Sequence, residues 1–285
     1  MAEFKKPKRR RIMGGVGTHA DTHHAAVVLM NGRRVADREF PATRVGYPDL
    51  LDWMRSFGRL QAVGVEGTGA YGAALARHLA GEKVRVVEVN RPDRRQRRAK
   101  GKSDPLDSYA AAEAVLADKA RAIPKTGTGV TESIRVLHLV RAGAVKARTA
   151  YINELQALLV TAPAELREQL AGLKGARLAD ACFRLRPSAD LADPAQSAKA
   201  ALRHLATRHR TVTTEIDTAY VQLKTLIEQA RPDLLAIRGV GVETAAQLLT
   251  TCGDNPDRLR SEGSLAALCG VSQRQDQTPP AQPQR

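Results

Sequence analysis

The chain has 285 residues, with 45 Lys plus Arg against 30 Asp plus Glu, a formal net charge of +15 with His neutral. That balance fits a polyanionic partner, and 43% hydrophobic residues are enough to build packed cores, which excludes wholesale disorder. No run approaches the roughly 18 consecutive apolar residues of a membrane helix, and no apolar stretch follows the basic N-terminus, so the expectation is a cytoplasmic protein without membrane contact. Cys182, Cys252 and Cys269 lie far apart with no CxxC spacing, which argues against a disulfide framework or a cysteine zinc site. Aromatic residues are only 4%, so base stacking is not the obvious binding mode.

In chain order, residues 1–11 form a basic arm carrying Lys5, Lys6, Lys8, Arg9, Arg10 and Arg11. Residues 12–17, 24–30 and 34–40 read as three short strands, with Asn31-Gly32 as a hairpin turn between the second and third. Leu50, Leu51, Met54 and Phe57 at helical spacing predict a helix over 47–57, and the apolar run 62–65 predicts a buried strand. A helix over 70–79, a strand over 84–89 and a helix from Pro105 complete the segment. Three strands, helix, strand, helix, strand, helix is the succession found in RNase H-like domains, here over 12–125.

The second charge cluster falls between the last strand and the last helix of that series. Arg91, Arg94, Arg95, Arg97, Arg98, Lys100 and Lys102 stand there against Asp93 alone, where a loop can carry cations to the edge of a site that accepts a phosphate backbone. A plain solvated charge run is the competing reading.

Residues 131–170 and 195–229 are long and helically periodic, which predicts an antiparallel coiled coil or helical hairpin within 131–232, able to bind a partner or form a homo-oligomer. An ordinary helical bundle is the alternative. Residues 171–194, with Gly172, Gly175, Pro187 and Pro194, read as the turn region between them. Within 233–272, Gly239-Val240-Gly241 between apolar helical stretches resembles a helix-hairpin-helix, in which Gly239 and Gly241 let backbone N–H groups approach a phosphate. Residues 273–285 lack a large apolar side chain and are expected to be disordered.

Three carboxylates stand out. Glu66 closes a predicted strand beside Gly67-Thr68-Gly69, a site position. Asp104 and Asp107 lie at the start of a helix, where Pro105 as the first helical residue makes Asp104 the N-cap. Helix capping alone accounts for that pair. Together with Glu66, though, they are hard oxygen ligands suited to Mg²⁺, and paired ions of this kind support phosphodiester cleavage.

The segments GTHADTHHAAVV, VGVEGTGAYG, RPDRRQRRAKGKSDPLDSYAAAEAV and IRGVGVETAAQLLTTCGDNPDRLRSEGSLAALCGVS resemble those of insertion-sequence-110 family transposases, relatives of the Piv-type DNA invertases. The resemblance implies a RuvC-like, RNase H-fold domain with a DEDD acid set, a helical coiled-coil middle, and a partial α-helical C-terminal transposase domain that supplies a serine nucleophile. It implies DNA as substrate, Mg²⁺ as cofactor and, for some members, a noncoding guide RNA. By this carry-over Glu66, Asp104 and Asp107 are the second, third and fourth acids. The first acid does not carry over, because Gly17 stands at its position. Asp21 lies four residues on, past the strand, and His19, His23 and His24 are polar lining of a turn rather than ligands. Ser272 is a nominal nucleophile with no evident base, and the polar tail beyond it reads as a truncated element. The expectation is a transposase that keeps its architecture and nucleic-acid binding but is defective in strand chemistry. A non-catalytic nucleic-acid-binding protein, and an actin-like ATPase using Gly67-Thr68-Gly69 as a phosphate loop, are the alternatives.

Overall fold

A computed structural model describes residues 10–90, 103–255, 258–259 and 261–271. The segment 91–102, most of the basic arm, and Ser272 with the tail after it lie outside the described residues. The chain divides into two compact units, one of residues 1–127 with 252–285 and the other of residues 128–251.

The first unit is built on a five-stranded sheet: β1 (Arg11–Thr18), β2 (Thr22–Leu29), β3 (Arg34–Pro41), β4 (Arg59–Glu66) and β5 (Val86–Val89), in the order β3-β2-β1-β4-β5. β1, β2 and β3 pair antiparallel, whereas β4 lies parallel to β1 and β5 parallel to β4. The turn between β2 and β3 is the expected one: Gly32 takes a left-handed φ of 83°, and the Asn31 side chain accepts from the Arg33 N–H at 3.1 Å. Parallel pairs need crossovers, which α1 (Gly46–Ser56) and α2 (Ala73–Gly81) supply.

Strand alternation sorts the side chains into two layers. On one face Ile12, Val16, Val63 and Val65 pack with Leu50, Leu51 and Met54 of α1 and Leu75 and Leu79 of α2. On the other, Met13, Ala26, Val28, Ala62 and Val87 pack with Tyr109, Ala112 and Val115 of α3 (Asp104–Leu116). Each fully buried Leu or Met here contributes about 1.5–3 kcal/mol of transfer free energy. The result is a mixed α/β, RNase H-like domain followed by a helical region.

The second unit is a helical hairpin. α4 (Val130–Thr161) and α7 (Pro194–Ala230) run antiparallel, because Ile134 near the start of α4 meets Leu223 and Ile227 near the end of α7, while Leu155 meets Leu202 and Ala206. α4 stops nine residues earlier than its periodicity suggests, since Ala162-Pro163 breaks it before α5 (Ala164–Gln169). The expected turn region contains α6 (Gly175–Phe183), whose Leu178, Ala179 and Cys182 cover the Leu155 end of the hairpin. α7 opens on a true N-cap, with the Asp193 carboxylate accepting from the Ala195 N–H at 2.8 Å ahead of Pro194. α8 (Pro232–Ala236) has only five residues; Gly239, at φ 86°, turns the chain into α9 (Val242–Cys252). Val242, Ala245 and Ala246 then join the Ile134 end of the hairpin core. α10 (Glu262–Leu268) lies in the first unit and is capped by Ser261. No described helix is long and apolar enough to cross a membrane.

Candidate active site

The site follows from two glycines. A Cβ on Gly15 would stand 2.1 Å from the Ser108 carbonyl oxygen and 2.3 Å from the Ala112 nitrogen, and one on Gly64 would stand 2.6 Å from the Ala111 carbonyl. α3 therefore rests directly on the backbones of β1 and β4, an approach that any side chain at either position would prevent. Two residues further along each strand the same face carries Gly17 and Glu66. The parallel register pairs Val16 with Val65, the residues immediately before these two.

The start of α3 comes down on this pair. An ideal Cβ on Gly17 lies 3.7 Å from Asp107 Cβ and 3.8 Å from the Asp104 carbonyl oxygen, ordinary contact distances. Glu66 is buried, and the Thr18 hydroxyl donates to its carbonyl at 2.8 Å, tying the ends of β1 and β4 together. The fold thus sets Glu66, Asp104 and Asp107 around Gly17, the position where the resemblance implies the first acid.

Asp104 differs from its expected role. The N-cap of α3 is Ser103, whose side chain makes no capping bond, and Asp104 is the first helical residue, with Pro105 following it. Its carboxylate turns back to His19, with Oδ1 3.1 Å from Nε2, and both side chains remain about two-fifths exposed. Asp104 and Asp107 sit in the first turn, where the helix dipole favours negative charge. Asp21 is exposed in the β1–β2 turn and is not at the corner.

The sequence reading made His23 and His24 polar lining of a turn, but both lie in β2, and register places His24 beside Gly17. Its Nε2 meets Asp37 Oδ2 at 2.7 Å, and the Tyr109 hydroxyl donates to Asp37 Oδ1 at 3.0 Å. Burial first, and that hydrogen bond second, push the Tyr109 phenol up to about 12. The only sequence signal for this chain of contacts was the alternation that puts His24 and Ala26 on one face. His23 points to the opposite layer and stacks on Tyr47 with ring centroids 5.7 Å apart.

Among the described residues no group of three His, Cys, Asp or Glu side chains is arranged to hold a metal ion. With glycine at position 17 and Asp104 engaged by His19, the corner as built does not fit a divalent ion. Gly239 and Gly241 bound an open turn, where an added Cβ would meet nothing within 4 Å.

A family model described as a transposase, the DEDD transposase domain of IS110 elements, matches residues 15–162, more than half of the chain. A second, described as the transposase IS116/IS110/IS902 family, matches residues 232–279. No curated protein matches the chain.

Proposed function

Because the chain belongs to the IS110 family of insertion-sequence transposases, which are DNA-cleaving and recombining enzymes, we propose that Glu66, Asp104 and Asp107 are the acid set of its cutting site and that Gly17 occupies the place of the missing first acid. The observation that carries this reading is the 3.7 Å between an ideal Gly17 Cβ and Asp107 Cβ, on the sheet face that also bears Glu66. A carboxylate at 17 would enter the corner without displacing backbone.

The DEDD class of transposase domain works with divalent metal ions, and Mg²⁺ is the ion this donor chemistry would take. Three acids, one of them held by a histidine, do not complete that site, so the chain binds DNA but is impaired in cutting it. The basic segment Arg91, Arg94, Arg95, Arg97, Arg98, Lys100 and Lys102 precedes Asp104 in the sequence and is proposed to hold the DNA backbone at the corner, with the Gly239–Gly241 turn as a second phosphate contact. Residues 12–125, 131–232 and 233–272 are then the cutting domain, the helical arm and the C-terminal transposase segment. Exposed Leu139, Val140 and Val221 on the hairpin support a homo-oligomer, and the charge of +15 leaves room for a guide RNA beside the DNA.

Strand nicking of a plasmid carrying the element ends, measured with Mg²⁺, tests the reading. Gly17→Asp is expected to raise nicking at least about tenfold over the wild-type chain, while Gly17→Asn leaves it unchanged. Wild-type nicking equal to that of Gly17→Asp overturns the proposal.

A further inference from the structure

A basic strip runs along the β5 edge of the first unit and away from the acid corner. It consists of two adjoining cavities. One, of about 530 Å³, lies between α2, β5 and the segment 121–126. The other, of about 470 Å³, lies beside the start of β4. Arg85 lines both; Arg77 and Lys125 line the first, and Arg55, Arg59 and Lys83 the second. Arg55 pairs with Glu82 at 3.6 Å, whereas Arg59, Arg77, Lys83 and Arg85 have no carboxylate partner among the described residues.

The cavity walls are built. Glu88 N–H donates to the Ala122 carbonyl at 2.8 Å, which lays the 121–126 segment along β5. On its other side the Asn255 amide donates to the Pro124 carbonyl at 3.1 Å, and the Thr126 hydroxyl bonds to Asp254. Lys83, at φ 57°, takes the left-handed turn that ends α2, with its N–H donating to the Ala80 carbonyl at 3.0 Å, and this turn places it on the wall of the second cavity. Arg59 opens the strand that Glu66 closes, roughly 23 Å away at about 3.3 Å per residue; the first cavity reaches Val87, which pairs with Gly64, but no residue lining the strip belongs to the corner.

We propose that this strip is a second nucleic-acid site, which holds an unpaired polynucleotide strand rather than a duplex. Its floor, with Ala76, Val86, Val87 and Pro124, is apolar and recessed, and the cations stand around it. A duplex presents phosphates on a convex surface and keeps its bases inside, so it leaves such recesses unfilled. An unpaired nucleotide turns an apolar base face to the floor and its phosphate to the arginines, whose guanidinium planes stack on bases where aromatic rings are lacking. Base stacking and phosphate pairing are common to deoxyribose and ribose strands, so the strip accommodates both.

The inference rests on the chain being a nucleic-acid enzyme, and not on the acid corner. The test is fluorescence anisotropy on the full chain with labelled single-stranded DNA, single-stranded RNA and duplex DNA of one sequence. The variants are Arg59→Gln, Arg77→Gln, Lys83→Gln and Arg85→Gln combined, Arg85→Glu alone, and an equal-charge control at the exposed Arg33, Arg44, Arg167 and Arg177. Melting temperature verifies folding, and Arg85→Glu carries the test if the fourfold variant fails to fold. The expected result is at least a tenfold loss for single strands, roughly, with a salt slope smaller by about 0.7 for each phosphate that the variant no longer neutralises, and less change for the duplex and for the control. Loss confined to one sugar type supports the site and names its strand. Unchanged single-strand affinity, or an equal loss for the duplex, overturns it. Nicking by Gly17→Asp, run alongside, reports on the acid corner independently.

Discussion

Gly15 and Gly17 are two residues apart on one strand face and have opposite tolerances. A methyl on Gly15 would overlap the Ser108 carbonyl at 2.1 Å, whereas one on Gly17 meets its nearest atom at 3.7 Å. Gly15→Ala is therefore expected to lift α3 from the sheet at a cost of about 1–3 kcal/mol or more, and Gly17→Ala to be close to neutral. Chemical denaturation of the two variants checks this, and equal effects would contradict the placement of α3. His23 gives a pH dependence. Burial holds its pKa below the ordinary value of 6.5, with the Thr22 carbonyl contact only partly opposing the shift. The unfolded chain therefore takes up a proton near pH 6.5 that the folded chain refuses. Stability is fully present above that pH and falls as the pH drops below it. His209, likewise lowered by burial first and by Arg148 second, acts in the same direction. His23→Phe keeps the ring against Tyr47 and should shrink the fall in melting temperature between about pH 7.5 and about pH 5.5. An undiminished fall would show that His23 is not the group responsible.

At the level of elements, the hairpin depends on contacts far apart in sequence. Leu155 is fully buried against α6 and α7, and Leu155→Ala should cost about 2–5 kcal/mol by urea denaturation. A cost below about 1 kcal/mol would mean that this end of the hairpin is not packed as described. At the other end Glu243 on α9 accepts from His138 Nε2 at 2.6 Å and pairs with Arg141, so α9 is fixed to α4 by charge as well as by Val242 and Ala245. The long elements were legible because their apolar periods are regular: Ile12, Val16, Val63 and Val65 face one layer, and Ile134 and Leu155 one seam. The short ones were not. α6 hides between Gly172 and Pro187, where turn residues outnumber its three apolar contacts. The start of α3 was placed one residue late because Pro105 is tolerated after the first helical residue as well as at it. The carboxylates proposed as the acid set stand out in the sequence by motif and spacing. The closeness of α3 to Gly15 and Gly64, and the arrival of His24 beside Gly17, are consequences of strand pairing that no local pattern encodes.

Across the whole molecule, a net charge of +15 accompanies the small acidic corner proposed as the cutting site. The arrangement fits an enzyme that must hold a polyanion and yet concentrate negative charge where cutting occurs. On the proposed reading a cation completes the corner, and the residue at position 17 decides whether it can bind. Mn²⁺ binding followed by electron paramagnetic resonance measures this directly, with the full chain and no DNA present. Gly17→Asp should bind Mn²⁺ at least about tenfold more tightly than the wild-type chain, and adding Asp107→Asn to it should remove most of the gain. Equal Mn²⁺ affinity for the wild-type and Gly17→Asp chains, or a gain that survives Asp107→Asn, would contradict the account.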